Sequence, residues 1–177
     1  MPEVIYICAI LKPKFMAIVS ISDNCLRLIE EFECDGDVSK FLKAYKCPAG
    51  VWTIGIGTTI YPSGQRVKEG DQCTAQQAYE FLRFDLRNIQ PRVDSYTTDA
   101  IDQSQFDSLV SFAYNLGTNA LKGSTLLAKV NNNVNNPAIQ TEFEKWVNAG
   151  GKKLPGLVRR RKAEAWLYFN KSLKFDF

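Results

Sequence analysis

The stretch LKAYKCPAGVWTIGIG, residues 42–57, decides the fold, because it reads as a β-hairpin placed between one amphipathic helix and a long run of further helices. Phe41 to Tyr45 is predicted as the first strand. Pro48, Ala49 and Gly50 supply the turn, and Val51 to Gly57 resumes with the β-branched and aromatic residues of a second strand. Side chains alternate along a strand, so Trp52, Ile54 and Ile56 share one face while Val51, Thr53 and Gly55 share the other. Thr53 therefore points away from the larger apolar set. Cys47 lies across the short turn from it, so the two small polar side chains meet near one end of the sheet. Pro62-Ser63-Gly64 makes a further turn, with Gln65 to Val67 expected as a third strand.

Working outward towards the N-terminus, Cys25, Leu28, Ile29 and Phe32 recur at helical spacing behind Ser22 or Asp23 as cap. Glu33 falls at the end of this helix, and Cys34-Asp35-Gly36-Asp37 turns the chain. In the other direction Thr74 and Gln77 form a capping box. Ala78, Phe81, Leu82, Leu86 and Ile89 make an apolar stripe that Pro91 is expected to close. Phe106, Leu109, Val110, Ala113 and Tyr114 form the next stripe, ended by Gly117. Asn136 caps a helix that begins at Pro137 and is followed by Phe143, Trp146 and Val147. The last helix starts after Pro155 and carries Val158, Trp166, Leu167 and Phe169. Strands first and helices afterwards give an α+β fold.

With 177 residues the chain suits one compact domain. Hydrophobic residues at 45% and charged residues at 23% exclude neither a normal core nor a wet surface, and argue against disorder and against a membrane-embedded body. A net charge of +3 is too mild to point to nucleic acid, although it favours an anionic surface. Histidine is absent, which removes Ser-His-Asp triads, Cys-His pairs and imidazole-based zinc sites together. Sugar-chain cleavage survives this elimination, since it needs mainly carboxylates. The five cysteines, Cys8, Cys25, Cys34, Cys47 and Cys73, are odd in number and show no C-x-x-C spacing, so free thiols are expected. Residues 1–15 read as an extension, with Met16 a candidate start. Their apolar run VIYICAIL, residues 4–11, is too short to span a membrane and carries its positive charge after the run, and a degenerate export signal is the other reading.

Several blocks resemble one family. LIEEFE (28–33), LKAYKCPAGVWTIGIG (42–57), FDSLVSFAYNLG (106–117), STLL (124–127) and WVNAGGKKLPGLVRRR (146–161) are similar, in order, to the phage-type lysozymes of glycoside hydrolase family 24, above all the endolysins of lambdoid phages. The resemblance implies a two-lobed lysozyme fold: a small N-terminal sheet lobe at about 34–73, a connecting helix at about 74–90, and a larger helical lobe at about 91–177 that includes the first helix at about 22–33. It also implies cleavage of the β-1,4 bond between N-acetylmuramic acid and N-acetylglucosamine of bacterial peptidoglycan, with inversion. No cofactor, metal, nucleic acid or stable membrane insertion is expected, and the chain is expected to be a monomer. It would accumulate in the host cytoplasm and act on the wall once another protein permeabilises the membrane.

The family pattern is a Glu, an Asp or Cys after eight residues, and a Thr after five more. Glu33, Cys47 and Thr53 match it, but thirteen residues separate Glu33 from Cys47. The five extra residues fall between Cys34 and Phe41, in an expected surface loop where added length costs little closure entropy. The chemistry needs a protonated acid beside the leaving oxygen and a water or nucleophile on the opposite face of the sugar. Glu33, desolvated at a helix end, would be that acid. Thr53 would hold the water with help from Cys47. Tyr114 and Asn115 match the helix bordering the family's cleft and would contact sugar.

Other readings stay open for each residue. Glu33 could be an exposed helix-end carboxylate like Glu30 and Glu31, Cys47 a turn residue, Thr53 an ordinary strand residue, Tyr114 a core tyrosine and Asn115 a cap. Asp35 and Asp37 could supply a second carboxylate or simply a solvated turn. Lys152, Lys153 and Arg159 to Lys162 read as a solvated basic face or as an attraction for wall anions. A lytic transglycosylase and a wall-binding protein without catalysis are the alternative functions, and oxidation of Cys47 by Cys8, Cys25 or Cys34 would be a means of control.

Overall fold

The computed structural model describes residues 20–177 apart from Pro48 and Asp99. The expected extension at 1–15, Met16 and Cys8 lie outside the described residues, as does the first residue of the expected hairpin turn. The architecture is α+β, with a small strand-bearing lobe towards the N-terminus and a larger helical lobe after it.

Helix α1 runs from Asp23 to Cys34. Ser22 caps it by accepting from the Asn24 N–H at 3.1 Å, while its own N–H donates to Asp107 at 3.0 Å, which ties the helix start to the middle of the chain. Leu26, Leu28 and Ile29 are buried, and Asp35 ends the helix in the left-handed region at φ 50°. The residues after it form more than a loop. A 3-10 turn at Val38–Phe41 buries Val38, whose N–H donates to Glu30 at 3.2 Å. Glu30 also accepts from the Tyr79 hydroxyl at 2.7 Å, so this carboxylate is structural where an exposed helix-end group was expected.

The sheet is smaller than its hydrophobic pattern suggests. Strand β1 is Tyr45–Lys46 and β2 is Trp52–Thr53, antiparallel, with Tyr45 opposite Thr53. Phe41 belongs to the 3-10 turn instead of a strand, and Gly55 and Gly57, at φ 58° and 78°, bend the chain out of the ladder after Ile54. The third strand reduces to a single bridge between Ile60 and Arg66.

The capping box of Thr74 and Gln77 opens α2, Ala75–Leu86. Pro91 does not close it. The helix stops at Leu86, and Pro91 sits in the first turn of α3, Gln90–Tyr96, where a missing N–H costs nothing. Helix α4, Gln103–Leu116, starts at a second capping box, Asp102 with Gln105, and ends at Gly117, φ 90°. It is the central helix: Phe106, Leu109, Val110 and Phe112 are fully buried. Shorter helices α5 (Thr118–Lys122), α6 (Thr125–Asn132) and α7 (Ala138–Glu144) surround it. Asn136 accepts from the Ala138 N–H at 2.9 Å, as its cap position implied. An unanticipated hairpin of β3 (Asn148–Ala149) and β4 (Lys152–Lys153) turns through Gly150 and Gly151 and delivers the chain to α8, Pro155–Asn170.

One apolar cluster runs through both lobes, from Val38 and Ile56 through α1, α2 and α4 to Phe143 and Tyr168. Phe112 meets Phe143 and Trp146 edge to face, at 5.8 and 5.4 Å between ring centroids. Helix α8 packs along α4 and against the end of α1, and this packing is what positions the site.

Candidate active site

Glu33 is the next-to-last residue of α1. Arg160 Nη1, from α8, donates to its Oε1 at 2.8 Å, with the arginine side chain 4% exposed and the glutamate side chain 27%. A buried cation thus holds the carboxyl group from behind while its other side reaches solvent. The desolvation expected of Glu33 at the helix end is partial, with its side chain 27% exposed and a cation on its buried side.

The second carboxyl oxygen faces Gly57 and Tyr114. A Cβ on Gly57 would stand 3.8 Å from Glu33 Oε2 and only 3.0 Å from Tyr114 Oη, so glycine is required for space as well as for its φ of 78°. The Tyr114 hydroxyl donates to the Ile56 carbonyl at 3.3 Å. Burial, reinforced by the charges of Glu33 and Asp85, pushes this phenol far above its ordinary range, so it stays a neutral donor.

The hairpin supplies the second group. The Cys47 N–H donates to the Val51 carbonyl at 3.0 Å, and the 45–53 register brings Cys47 and Thr53 together. Hydrogen bonds from the Val51 and Ala49 amides, then from the Thr53 hydroxyl, hold the Cys47 thiol below its usual range. Thr53 is 4% exposed, and its hydroxyl donates to the Val51 carbonyl at 3.1 Å. The single hydroxyl proton serves either that carbonyl or the Cys47 sulfur, and in both cases the oxygen keeps lone pairs for an incoming donor. Tyr45 feels both halves: its phenol is pushed up by burial first, then by Cys34, Glu33 and Cys47.

The structure therefore groups Glu33 with Tyr114, and Cys47 with Thr53, with Tyr45 within electrostatic reach of Glu33 and Cys47. Asn115 is placed differently from a free sugar-binding amide, because its Oδ1 accepts from Arg161 at 3.0 Å. Asp37 is engaged in its own turn. It accepts from the Ser39 N–H at 3.1 Å, and Ser39 followed by Lys40 holds its carboxyl below the ordinary range.

Four charged side chains around the site escaped the sequence reading: Arg160, Arg161, Glu164 and Asp85. Arg160 and Arg161 belong to a run read as a solvated basic face, yet they are 3% and 0% exposed. The correction has an electrostatic reason: buried Glu164 accepts from Arg160 Nε at 3.2 Å, Arg161 Nη2 at 3.0 Å and Ser111 Oγ at 2.9 Å. The i,i+3 and i,i+4 spacing of Arg161 and Arg160 to Glu164 was the available signal. Arg159 and Glu31 form a further ion pair beside it. Asp85 near the end of α2 was likewise unforeseen. Burial pushes its carboxyl up to about 6, against an opposing contribution from the Thr58 hydroxyl.

The model of the phage lysozyme family matches residues 39–164. The chain belongs to the phage lysozyme family. Across 152 residues it is 38% identical to the endolysin of Acyrthosiphon pisum secondary endosymbiont phage 1, covering 84% of this chain and 97% of that protein. Over another 152-residue match it is 38% identical to the endolysin of Bacillus phage B103, but spans 54% of that protein's length. Among solved structures it resembles the endolysin of Escherichia coli O157:H7 phage FAHEc1, with a TM-score of 0.78, 32% identity and coverage of 88% of this chain and 96% of that one. It also resembles the muramidase domain of SpmX from Asticaccaulis excentricus, with a TM-score of 0.70, 33% identity and coverage of 85% and 98%. The phage lysozyme match starts at residue 39, after Glu33, so the placement of Glu33 rests on α1 itself. No helix among the described residues is long and apolar enough to cross a membrane.

Proposed function

We propose that the protein is an endolysin of glycoside hydrolase family 24, in the lambdoid group, that hydrolyses the β-1,4 bond between N-acetylmuramic acid and N-acetylglucosamine with inversion. Glu33 gives its proton to the leaving oxygen, and Thr53 with Cys47 holds the attacking water on the opposite side. The observation that carries this reading is the carboxyl group of Glu33, gripped at one oxygen by buried Arg160 and open at the other beside Tyr114 and Gly57. With no second carboxylate in the matched set, Glu33 alone protonates the leaving oxygen, and the proton that the attacking water loses as it bonds to the anomeric carbon passes to solvent beside the Thr53 and Cys47 pair. The protein works as a monomer on peptidoglycan, from the host cytoplasm, after the membrane has been permeabilised.

Glu33→Gln keeps the shape of the side chain and removes the proton donor, so lytic rate on purified walls falls by about 10² or more. A loss below about tenfold would sink the assignment. Mass spectrometry of the digested glycan separates hydrolysis from transglycosylation: reducing ends support the reading, and anhydro ends lighter by one water overturn it.

A further inference from the structure

Behind Glu33 lies a buried ionic group that the proposed chemistry does not itself use. Arg160 spends all three guanidinium nitrogens: Nη1 on Glu33 at 2.8 Å, Nε on Glu164 at 3.2 Å and Nη2 on the Ser111 carbonyl at 3.4 Å. Its geometry is therefore fixed, and the direction in which it meets Glu33 is fixed with it. Arg161 is less well matched. Its Nη2 reaches Asn115 and Glu164, its Nε lies 3.0 Å from Glu164 Oε2 without hydrogen-bond geometry, and neither Nε nor Nη1 has a hydrogen-bond partner among the described residues. Glu164 is fully buried and, among the described residues, is the one carboxylate paired with both guanidiniums.

Resting on the reading of Glu33 as the acid, we propose that Glu164 is a positioning residue: it orients Arg160 against Glu33 and neutralises the neighbouring buried cation, Arg161, so that the positive charge behind Glu33 is held to that of one arginine. The charges argue for it. Two arginines lie next to each other in sequence and in space, both within reach of Glu164, and only Arg160 touches Glu33. Remove the negative charge of Glu164 and the adjoining Arg160 and Arg161 lose the counter-ion they share, leaving an excess of positive charge behind the guanidinium that touches Glu33, where the low local dielectric amplifies its pull. A general acid must hold its proton at working pH, so an extra uncompensated cation nearby works against the reaction.

The other groups facing this assembly do not supply the balance. Tyr114 from α4 and Tyr45 from β1 are neutral phenols, pushed up by burial. Cys34, next to Glu33 on α1, is a thiol pushed up to about 12 by burial. Cys25 is a thiol pushed up by burial, and Asp107 is occupied by Ser22 and Gln103. Asp85 reaches the site only through Tyr114, and Glu31 is engaged by Arg159.

The test compares Glu164→Gln, Arg161→Gln and the double variant with the parent protein, following the carboxyl carbon resonance of Glu33 by NMR across a pH series and, in parallel, the alkaline limb of the pH–activity profile. The NMR reading needs no substrate, so it stands even if the wall-cleaving activity proves absent, which would overturn the proposed function alone. In Glu164→Gln both midpoints move to lower pH by roughly one unit. In Arg161→Gln they move the opposite way, and in the double variant they return towards the parent values. Loss of folding alone cannot produce shifts of opposite sign that cancel. If Glu164→Gln is too unstable to study, the upward shift in Arg161→Gln carries the same information. An unchanged Glu33 titration in folded Arg161→Gln, or shifts of the same sign in both single variants, would overturn the proposal.

Discussion

Replacing Asp85 by Asn is expected to stabilise the protein, and to do so only above moderately acidic pH. The carboxyl group sits near the end of α2, half-buried, and desolvation raises it from its usual value of 3.8 to about 6. Because the folded-state value lies above the unfolded one, the unfolded chain gives up its proton first as pH rises. Stability from this group is therefore present below about pH 4 and is lost between about 4 and 6. A shift of about two units corresponds to roughly 3 kcal/mol as an upper bound, and partial solvent screening reduces that to about 1 kcal/mol. For a chain of this size such a gain raises Tm by about 2–4 °C. Thermal unfolding of both proteins between pH 3.5 and 8, followed by circular dichroism, checks this. The two Tm values should nearly coincide at the acid end and separate above pH 6, with the variant higher. A difference that is constant with pH, or a variant less stable at pH 8, would refute the desolvation argument.

Gly57→Ala forces a β-carbon into a left-handed position at φ 78° and to within 3.0 Å of the Tyr114 hydroxyl. The backbone alone costs about 1–2 kcal/mol, a fall of roughly 2–8 °C in Tm, and displacement of Tyr114 beside Glu33 lowers wall-lytic rate even well below the melting range. Retention of full activity would mean that Tyr114 is not part of the site. Cys47→Ala should lower lytic rate far less than Glu33→Gln, since Cys47 contributes to holding water and gives no proton; equal losses would overturn that division of labour. Among the four cysteines of the described residues, alkylation of the folded protein mapped by peptide mass spectrometry should label Cys47 first, because hydrogen bonds lower its thiol, while Cys34, buried and raised to about 12, reacts only on unfolding.

Local chemistry was legible from the chain itself. Ser22, the capping box at Thr74, Asn136, Pro155 and Gly117 all act within a few residues of themselves, so their signals survive without knowledge of the fold. The same holds for Cys47 and Thr53, which a short hairpin joins. The α+β class, the end of α1 at Glu33 and the central apolar helix α4 follow from such patterns. Strand length did not, because Gly55 and Gly57 read equally well as strand glycines and as the bends they form.

What only the tertiary structure decided is the company each charge keeps. Arg160 and Glu33 are 127 residues apart in sequence, and nothing in a run of arginines distinguishes a wet helix face from one turned inward onto two carboxylates. Glu30 and Asp85 were hidden for the same reason: a carboxylate's burial is set by what other elements lay over it. Sequence determined where the backbone turns, caps and periodically buries apolar faces, through short-range sterics and hydrogen bonds. Packing of α8 against α1 and α4 determined how the chemistry of Glu33 is held, since Coulomb interactions and desolvation depend on distances that exist only once the chain has folded.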